Sequence, residues 1–345
     1  MKKIIIPHNS LTIANEEKKA ALKVLDTGWL TSGDEVELLE NEMCKFFSIP
    51  KGHAIAVSSG SSALYLALWA LKASKKRVGI PVYSCCSLRN AAHLIGAKPV
   101  YLDSSNQNPN IDIEDVKKTD LDILIAPSIY GIPVELNSSL PFEIIEDISQ
   151  AFGSKINGKK IGLRGEIGIC SFAATKLITT GGQGGLIISK KKSIIDKLKD
   201  FRDFDNRDDK KIRFNFLMTN IQAAIGREQL KKISIFKKKR EEIFKIYLNS
   251  GLNMLDTDKD YLDPIRHRAI LINPKPNKVI ANLRKFGISS IIPLRNKELL
   301  DKKKRYKNAE RFSESFIALP MYPYLPKKSV KKISNICLKL KNKKF

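Results

Sequence analysis

The chain has 345 residues and a formal net charge of +25, from 61 Lys and Arg against 36 Asp and Glu. That length buries a sizeable core and admits one large domain with a smaller one beside it. No apolar stretch approaches the roughly 20 residues of a membrane span, and the run Ile4-Ile5-Ile6 is too short for a signal peptide.

Five cysteines, Cys44, Cys85, Cys86, Cys170 and Cys337, show no zinc-type spacing, and an odd count argues against a disulfide framework. A cytoplasmic protein without a metal site is expected. The positive charge invites a nucleic-acid reading. Its lysines fall in short runs such as Lys190-Lys191-Lys192, interleaved with Ile, Asn and Asp rather than with stacking aromatics. Solvated helix faces account for them, and no nucleic-acid partner is expected. A local excess near a site still attracts a phosphorylated substrate.

The N-terminal part reads as two helices. Residues 16–27 have helical period, with Ala20, Val24 and Leu25 on one side. Gly28-Trp29-Leu30-Thr31-Ser32-Gly33 interrupts, and 34–47 resumes with Val36, Leu39, Met43 and Phe47. A short strand, Ala54 to Val57, then runs through Ser58-Ser59-Gly60-Ser61-Ser62 into a helix striped by Leu64, Leu68 and Leu71. Free amides at a helix start, with a glycine permitting close approach, form an anion site; a plain serine N-cap is the other reading. Residues 78–103 give one β-α-β unit, and 122–127 another strand. Alternating strands and helices imply an α/β fold with a mostly parallel central sheet flanked by helices.

The centre of the chain carries the chemistry. The apolar run Phe142 to Ile145 ends in Glu146-Asp147, with Gln150 three residues on; the run Ile167 to Cys170 ends in Ser171-Phe172, with Lys176 five residues beyond Ser171. Two buried strands releasing polar groups at their carboxyl ends are how an open α/β sheet builds a site. A carboxylate on one strand end and a lysine after the next are the two groups that a pyridoxal phosphate (PLP) enzyme needs. Taken alone, the same residues also read as a turn carboxylate and a solvated lysine. Beyond the glycines 181–185 come a strand, Leu186 to Ser189, a basic helix, and an amphipathic helix from Ile221 to Leu230. After Arg240 a smaller α+β unit is expected, with strands near 267–272 and 288–292 and a helix over 277–286. The boundary is placed so that 1–235 form the large domain and 236–345 the small C-terminal one.

The segment Glu146-Asp147-Ile148-Ser149-Gln150-Ala151-Phe152-Gly153, then Ser171-Phe172 to Lys176, then Gly181 to Gly185, resembles the DegT/StrS-type sugar aminotransferases, a fold-type I PLP family. Supporting stretches are 58–64, the 78–103 unit, Tyr130-Gly131, 213–230 and 316–325, so the resemblance spans residues 10–335. It implies a homodimer with shared active sites, PLP on Lys176, Asp147 at the pyridine nitrogen, and Gln150 near the ring hydroxyl. It further implies Gly60, Ser61 and Ser171 at the phosphate, with Asn215 reaching the partner's cofactor. Trp29, Thr31, Arg213 and Tyr322 are the residues it points to for substrate. The implied reaction moves an amino group from an amino acid, most often glutamate, through pyridoxamine phosphate to a nucleotide-linked keto-sugar. Lys176 stands where dehydrating relatives have histidine, which implies transamination.

Four departures fall at or near the site: Cys85 for an aromatic ring over the cofactor, Ser128 for a histidine, Leu217 for a basic residue and Gln183 for an often acidic one. Tyr83 is a candidate substitute for the missing ring, and Arg213 for the missing base. These losses keep open a diverged substrate or other PLP chemistry, and a non-catalytic regulatory homologue.

Overall fold

The computed structural model describes residues 5–136 and 140–342. Ile4, part of the apolar run weighed as a signal peptide, lies outside them. Among the described residues, twelve strands follow in chain order: β1 (Ala54–Val57), β2 (Arg77–Pro81), β3 (Lys98–Leu102), β4 (Ile123–Pro127), β5 (Glu143–Asp147), β6 (Lys155–Ile156), β7 (Lys159–Lys160), β8 (Ile167–Ser171), β9 (Gly185–Ile188), β10 (Leu262–Asp263), β11 (Ala269–Ile272) and β12 (Phe316–Leu319). The helices are α1 (Asn15–Thr27), α2 (Asp34–Phe47), α3 (Gly60–Ala70), α4 (Cys86–Leu94), α5 (Ile113–Lys117), α6 (Lys192–Arg202), α7 (Asn220–Lys231), α8 (Ile233–Asn249), α9 (Pro276–Lys285), α10 (Lys307–Ser315) and α11 (Lys327–Asn342).

Seven strands form the central sheet in the order β1-β9-β8-β5-β4-β2-β3. All neighbours are parallel except β9, which runs against both β1 and β8. Six strands therefore point their carboxyl ends the same way, as the β-α-β pattern required. Side-chain alternation divides the core in two. Ile55, Val57, Ile145, Ile169 and Ile187 pack with α3, α4 and α6 on one face. Ala54, Ala56, Cys170, Leu186 and Ile188 pack with α2 and α7 on the other. The α7 start is fixed by a reciprocal cap between Thr219 and Gln222.

A separate cluster joins α8, α9, α11, β11 and β12 with Ile6 from the N-terminal segment. The expected boundary at 235/236 falls in the first turn of α8, which runs unbroken from 233 to 249. Within this unit the strand expected near 267–272 is β11, but its partner is β12, not 288–292. Residues 288 and 291 make only isolated bridges, to Ile6 and Ala318. The reason is composition. Phe316-Ile317-Ala318-Leu319 is continuously apolar and fully buried, whereas Ser289-Ser290 interrupts the other run and Pro293 ends it.

Candidate active site

The carboxyl edge of the sheet holds the site. β5 ends at Asp147 and β8 at Ser171, and their pairing sets Asp147 opposite Ile169. Ser149 then stitches the two ends: its amide donates to Asp147 Oδ1 at 2.8 Å, and its hydroxyl accepts from the Ser171 amide at 2.9 Å. Beyond β8 the chain turns through 172–184 and returns as β9. Phe172 N donates to Gly184 O, Ala174 N to Gly182 O, and Thr180 N to Phe172 O. Lys176 rides on this turn, its own amide bonded to Ala173 O at 2.9 Å.

The third wall is the start of α3. Ser59 caps it, accepting from Ser62 N at 3.0 Å, which leaves the Gly60 and Ser61 amides without an intrahelical partner. Gly60 is required by contact. A Cβ there would lie 2.5 Å from Ser171 Cβ and 2.9 Å from its Oγ. The helix start can therefore lie directly over the end of β8. Ser61 Oγ reaches Ser87 Oγ at 3.2 Å.

Asp147, Lys176, Gly60, Ser61, Ser171, Gln150 and Cys85 all line one cavity of about 210 Å³. Three larger clefts, of about 770, 550 and 450 Å³, are lined by other residues; they too carry acids and lysines, and in them Lys259 pairs with Glu135, Lys199 with Glu40 and Lys231 with Glu228. Asp147 is 7 % exposed. Burial pushes its carboxyl up from the ordinary aspartate value, while the Ser149 hydrogen bonds and the Lys176 charge pull the other way. Gln150 Oε1 accepts from Tyr130 N at 3.1 Å, so its amide nitrogen remains to donate into the cavity. The loop that carries Tyr130 turns through left-handed conformations, φ 58° at Tyr130 and 93° at Gly131. A Cβ on Gly131 would meet His267 N at 2.8 Å.

The other expected residues lie elsewhere in the chain. Trp29 is 62 % exposed and donates Nε1 to Ser32 O; Thr31 is exposed, its carbonyl accepting from Asn220 N. Asn215 is exposed, its Oδ1 accepting from Leu217 N at 3.1 Å. Arg213 is held by Asp200 and Asp209 of its own chain, and Tyr322 is buried in the core of the C-terminal unit. Tyr83 does not replace the missing ring. It is 1 % exposed, hydrogen-bonded to Tyr130 OH at 2.8 Å and packed edge-on against Phe312 and Phe316, because the chain after β2 turns it into the core. Glu40 bonds Ala56 N, Arg202 and Lys199, tying α2 to β1 and α6. Ser149 and Ser87 escaped the sequence reading. Only their spacing from Asp147 and Cys85 pointed to them.

The edge of a mostly parallel sheet, a buried carboxylate, a lysine on the next turn and an open helix start together define an α/β transferase of fold-type I. Solved structures agree on that fold: the Helicobacter pylori aminotransferase PseC superposes with a TM-score of 0.88 at 25 % identity, over 97 % of this chain and 98 % of that one. The family model described as the DegT/DnrJ/EryC1/StrS aminotransferase family matches residues 11–337, and the chain belongs to that family. Similar curated proteins include a GDP-perosamine synthase of Vibrio cholerae, 28 % identical over 97 % of this chain and 98 % of its own length. A UDP-4-amino-4,6-dideoxy-N-acetyl-beta-L-altrosamine transaminase of Helicobacter pylori is 30 % identical over 94 % of each. This chain is an aminotransferase.

Proposed function

We propose that the protein is a PLP-dependent sugar aminotransferase that takes its amino group from an amino acid, glutamate in the first instance. The acceptor is a keto-deoxysugar carried on a nucleotide. The observation that carries the reading is the convergence of Asp147, Lys176 and the α3 start on one cavity. Those residues fit the cofactor's chemistry. The Gly60 glycine cradle and the two free amides suit a phosphate, and a buried carboxylate suits a cationic ring nitrogen. When bound, PLP supplies an aldehyde carbon that takes the amino group and a ring that accepts electrons.

The chain's own residues do the rest. Lys176 is the one lysine among the lining residues, so its Nζ would hold the aldehyde carbon of bound PLP. The same amine would move the proton of the donor Cα. Asp147 Oδ holds a proton at the ring nitrogen, and its burial makes that charge pairing strong. The Gln150 amide nitrogen donates to the ring hydroxyl. Ser61 and Ser171 hydroxyls add to the Gly60 and Ser61 amides at the phosphate. Cys85, which lines the same cavity, would offer bound PLP a soft apolar surface in place of an aromatic one.

Asn215, Trp29 and Thr31 are exposed on this chain, and so are Ile212 and Phe214 close to Asn215 in sequence, at 89 % and 64 %. In the proposal that surface meets a second copy in a cytoplasmic homodimer, where Asn215 serves the partner's cofactor. Residues 1–235 and 236–345 form the two domains, joined through α8.

The test uses purified protein with added PLP. L-glutamate should bleach the visible band and release 2-oxoglutarate, and one of a panel of nucleotide keto-sugars should restore it. No bleaching with any amino acid would remove the assignment; restoration by simple keto acids alone would remove the sugar.

A further inference from the structure

The positive charge is not spread evenly along the chain. Residues 236–345 hold 28 of its 61 basic residues and only 10 of its 36 acidic ones, a net +18 of the total +25 from less than a third of the sequence. A uniformly lysine-rich composition would not produce that skew. The fold concentrates it further. α8, α9 and α11 each bury one side in a shared core with β11 and β12, through Phe244 and Tyr247, Val279 and Leu283, and Val330 and Ile333. Together the three helices carry 14 Lys and Arg against two acids, Glu241 and Glu242. Both acids are already engaged, Glu241 by Arg266 and Glu242 by Lys327.

α11 is the centre of this face and packs against both α8 and α9. Its sequence contains no acid, and its first turn begins with Lys327 and Lys328. Cations at the positive end of a helix dipole are unfavourable. Lys328, Lys331, Lys332 and Lys339 are all exposed and form one stripe, opposite the buried Val330, Ile333 and Cys337. Among the described residues, no acid lies within ion-pair distance of any of the four. Like charges three and four positions apart on a helix repel. The helix therefore keeps this stripe against its own stability, and anions from outside the chain relieve the strain.

We propose that the outer face of α11, flanked by α8 and α9, docks on an anionic lipid surface, with the lysine stripe against the headgroups. All four stripe residues are lysines, compact point charges without the arginine fork that reads nucleic acids. They sit on the outside of a helix, and no residue of α8, α9 or α11 lines any of the four cavities described above, so no groove tracks a strand here. The exposed ring of Tyr324, just before α11, is occupied by Lys239 Nζ at 4.2 Å from its centroid rather than free to stack on a base. A layer of mobile anionic headgroups matches a face of this kind, since each nearby lysine adds attraction that salt screens. Phe286, 50 % exposed beside Lys285 at the end of α9, adds apolar surface of the sort that enters a headgroup layer. Among the described residues, no helix is long and apolar enough to cross a membrane, so the attachment is superficial and reversible.

The test sediments PLP-loaded protein with vesicles of phosphatidylcholine, alone or with about one third phosphatidylglycerol. Binding to the anionic vesicles at about 0.1 M salt, loss of it at about 0.5 M, and no binding to the neutral ones are expected. A triple variant, Lys328→Gln with Lys331→Gln and Lys332→Gln, should bind about a hundredfold more weakly. It should keep the wild-type circular dichroism and unfold at no lower temperature, because like charges are removed. A control triple, Lys190→Gln with Lys191→Gln and Lys192→Gln, takes the same charge from the large domain and should bind within about twofold of the wild type. The cavity's lining residues all lie between 59 and 183, so neither triple touches them. A wild type that ignores anionic vesicles or binds neutral ones equally overturns the proposal. Equal loss in both triples, or attachment that survives high salt, overturns it too. So does a single-stranded RNA held through Lys328, Lys331 and Lys332 by protein that leaves the vesicles unbound.

Discussion

Replacing Gly60 by Ala places a methyl group 2.5 Å from Ser171 Cβ, 2.9 Å from its Oγ and 3.1 Å from its Cα. Carbon atoms in good contact sit about 3.5–4.0 Å apart, so the helix start or the strand end has to yield by roughly 1 Å. Overpacking of that kind costs about 1–3 kcal/mol. Alanine's better helix propensity returns roughly 0.5–1 kcal/mol, so a net loss of about 1–2 kcal/mol remains. The displaced Gly60 and Ser61 amides should also loosen the cofactor. Thermal unfolding of the cofactor-free protein reads the first effect, and titration with PLP by visible absorption reads the second. Ser171→Gly added to Gly60→Ala removes the two closest contacts but not the Cα. Partial rescue is therefore expected, with a coupling of about 1 kcal/mol or more. Unaltered unfolding and PLP affinity in Gly60→Ala, or strictly additive effects in the double variant, would refute the argument from contact.

Asp147→Asn should keep PLP binding but lose most turnover, and full activity would exclude its role at the ring nitrogen. Because burial raises the Asp147 pKa, the native cofactor-free protein holds more protons than the unfolded chain just above the ordinary aspartate value of 3.8. Stability from this group is thus present below that value and is lost as pH rises through the raised one. Relative to wild type, Asp147→Asn should gain stability with rising pH over that window; urea midpoints moving in parallel would contradict the sign. Arg164→Met should be far more damaging, since Glu146, with a fully buried side chain, accepts from Arg164 N at 3.0 Å and from its guanidinium. Stranding that carboxylate costs about 3–5 kcal/mol, and a loss in urea unfolding below about 1 kcal/mol would show that the pair carries little.

The sequence declared the strands that build the catalytic edge, because apolar runs ending in polar residues carry their own direction. Asp147, Ser171 and Lys176 are legible for that reason, and Gly60 because a glycine before a helix implies close approach. Tyr83 was misread because its neighbour Cys85 faces the cavity, and nothing in Tyr83-Ser84-Cys85 says that the ring turns inward. β12 was missed because strand pairing between residues 269–272 and 316–319 is non-local; a four-residue apolar run looks alike in helix or strand. Glu40 has the same lesson. Its partners, Ala56, Lys199 and Arg202, lie 16 or more positions away, beyond any window of periodicity.

Borohydride reduction of the PLP-loaded protein, followed by peptide mass spectrometry, addresses the central claim most directly. A single phosphopyridoxyl label on the peptide containing Lys176, absent in Lys176→Ala together with the visible band, is the predicted result. A label on another lysine, or a visible band that survives in Lys176→Ala, would contradict it.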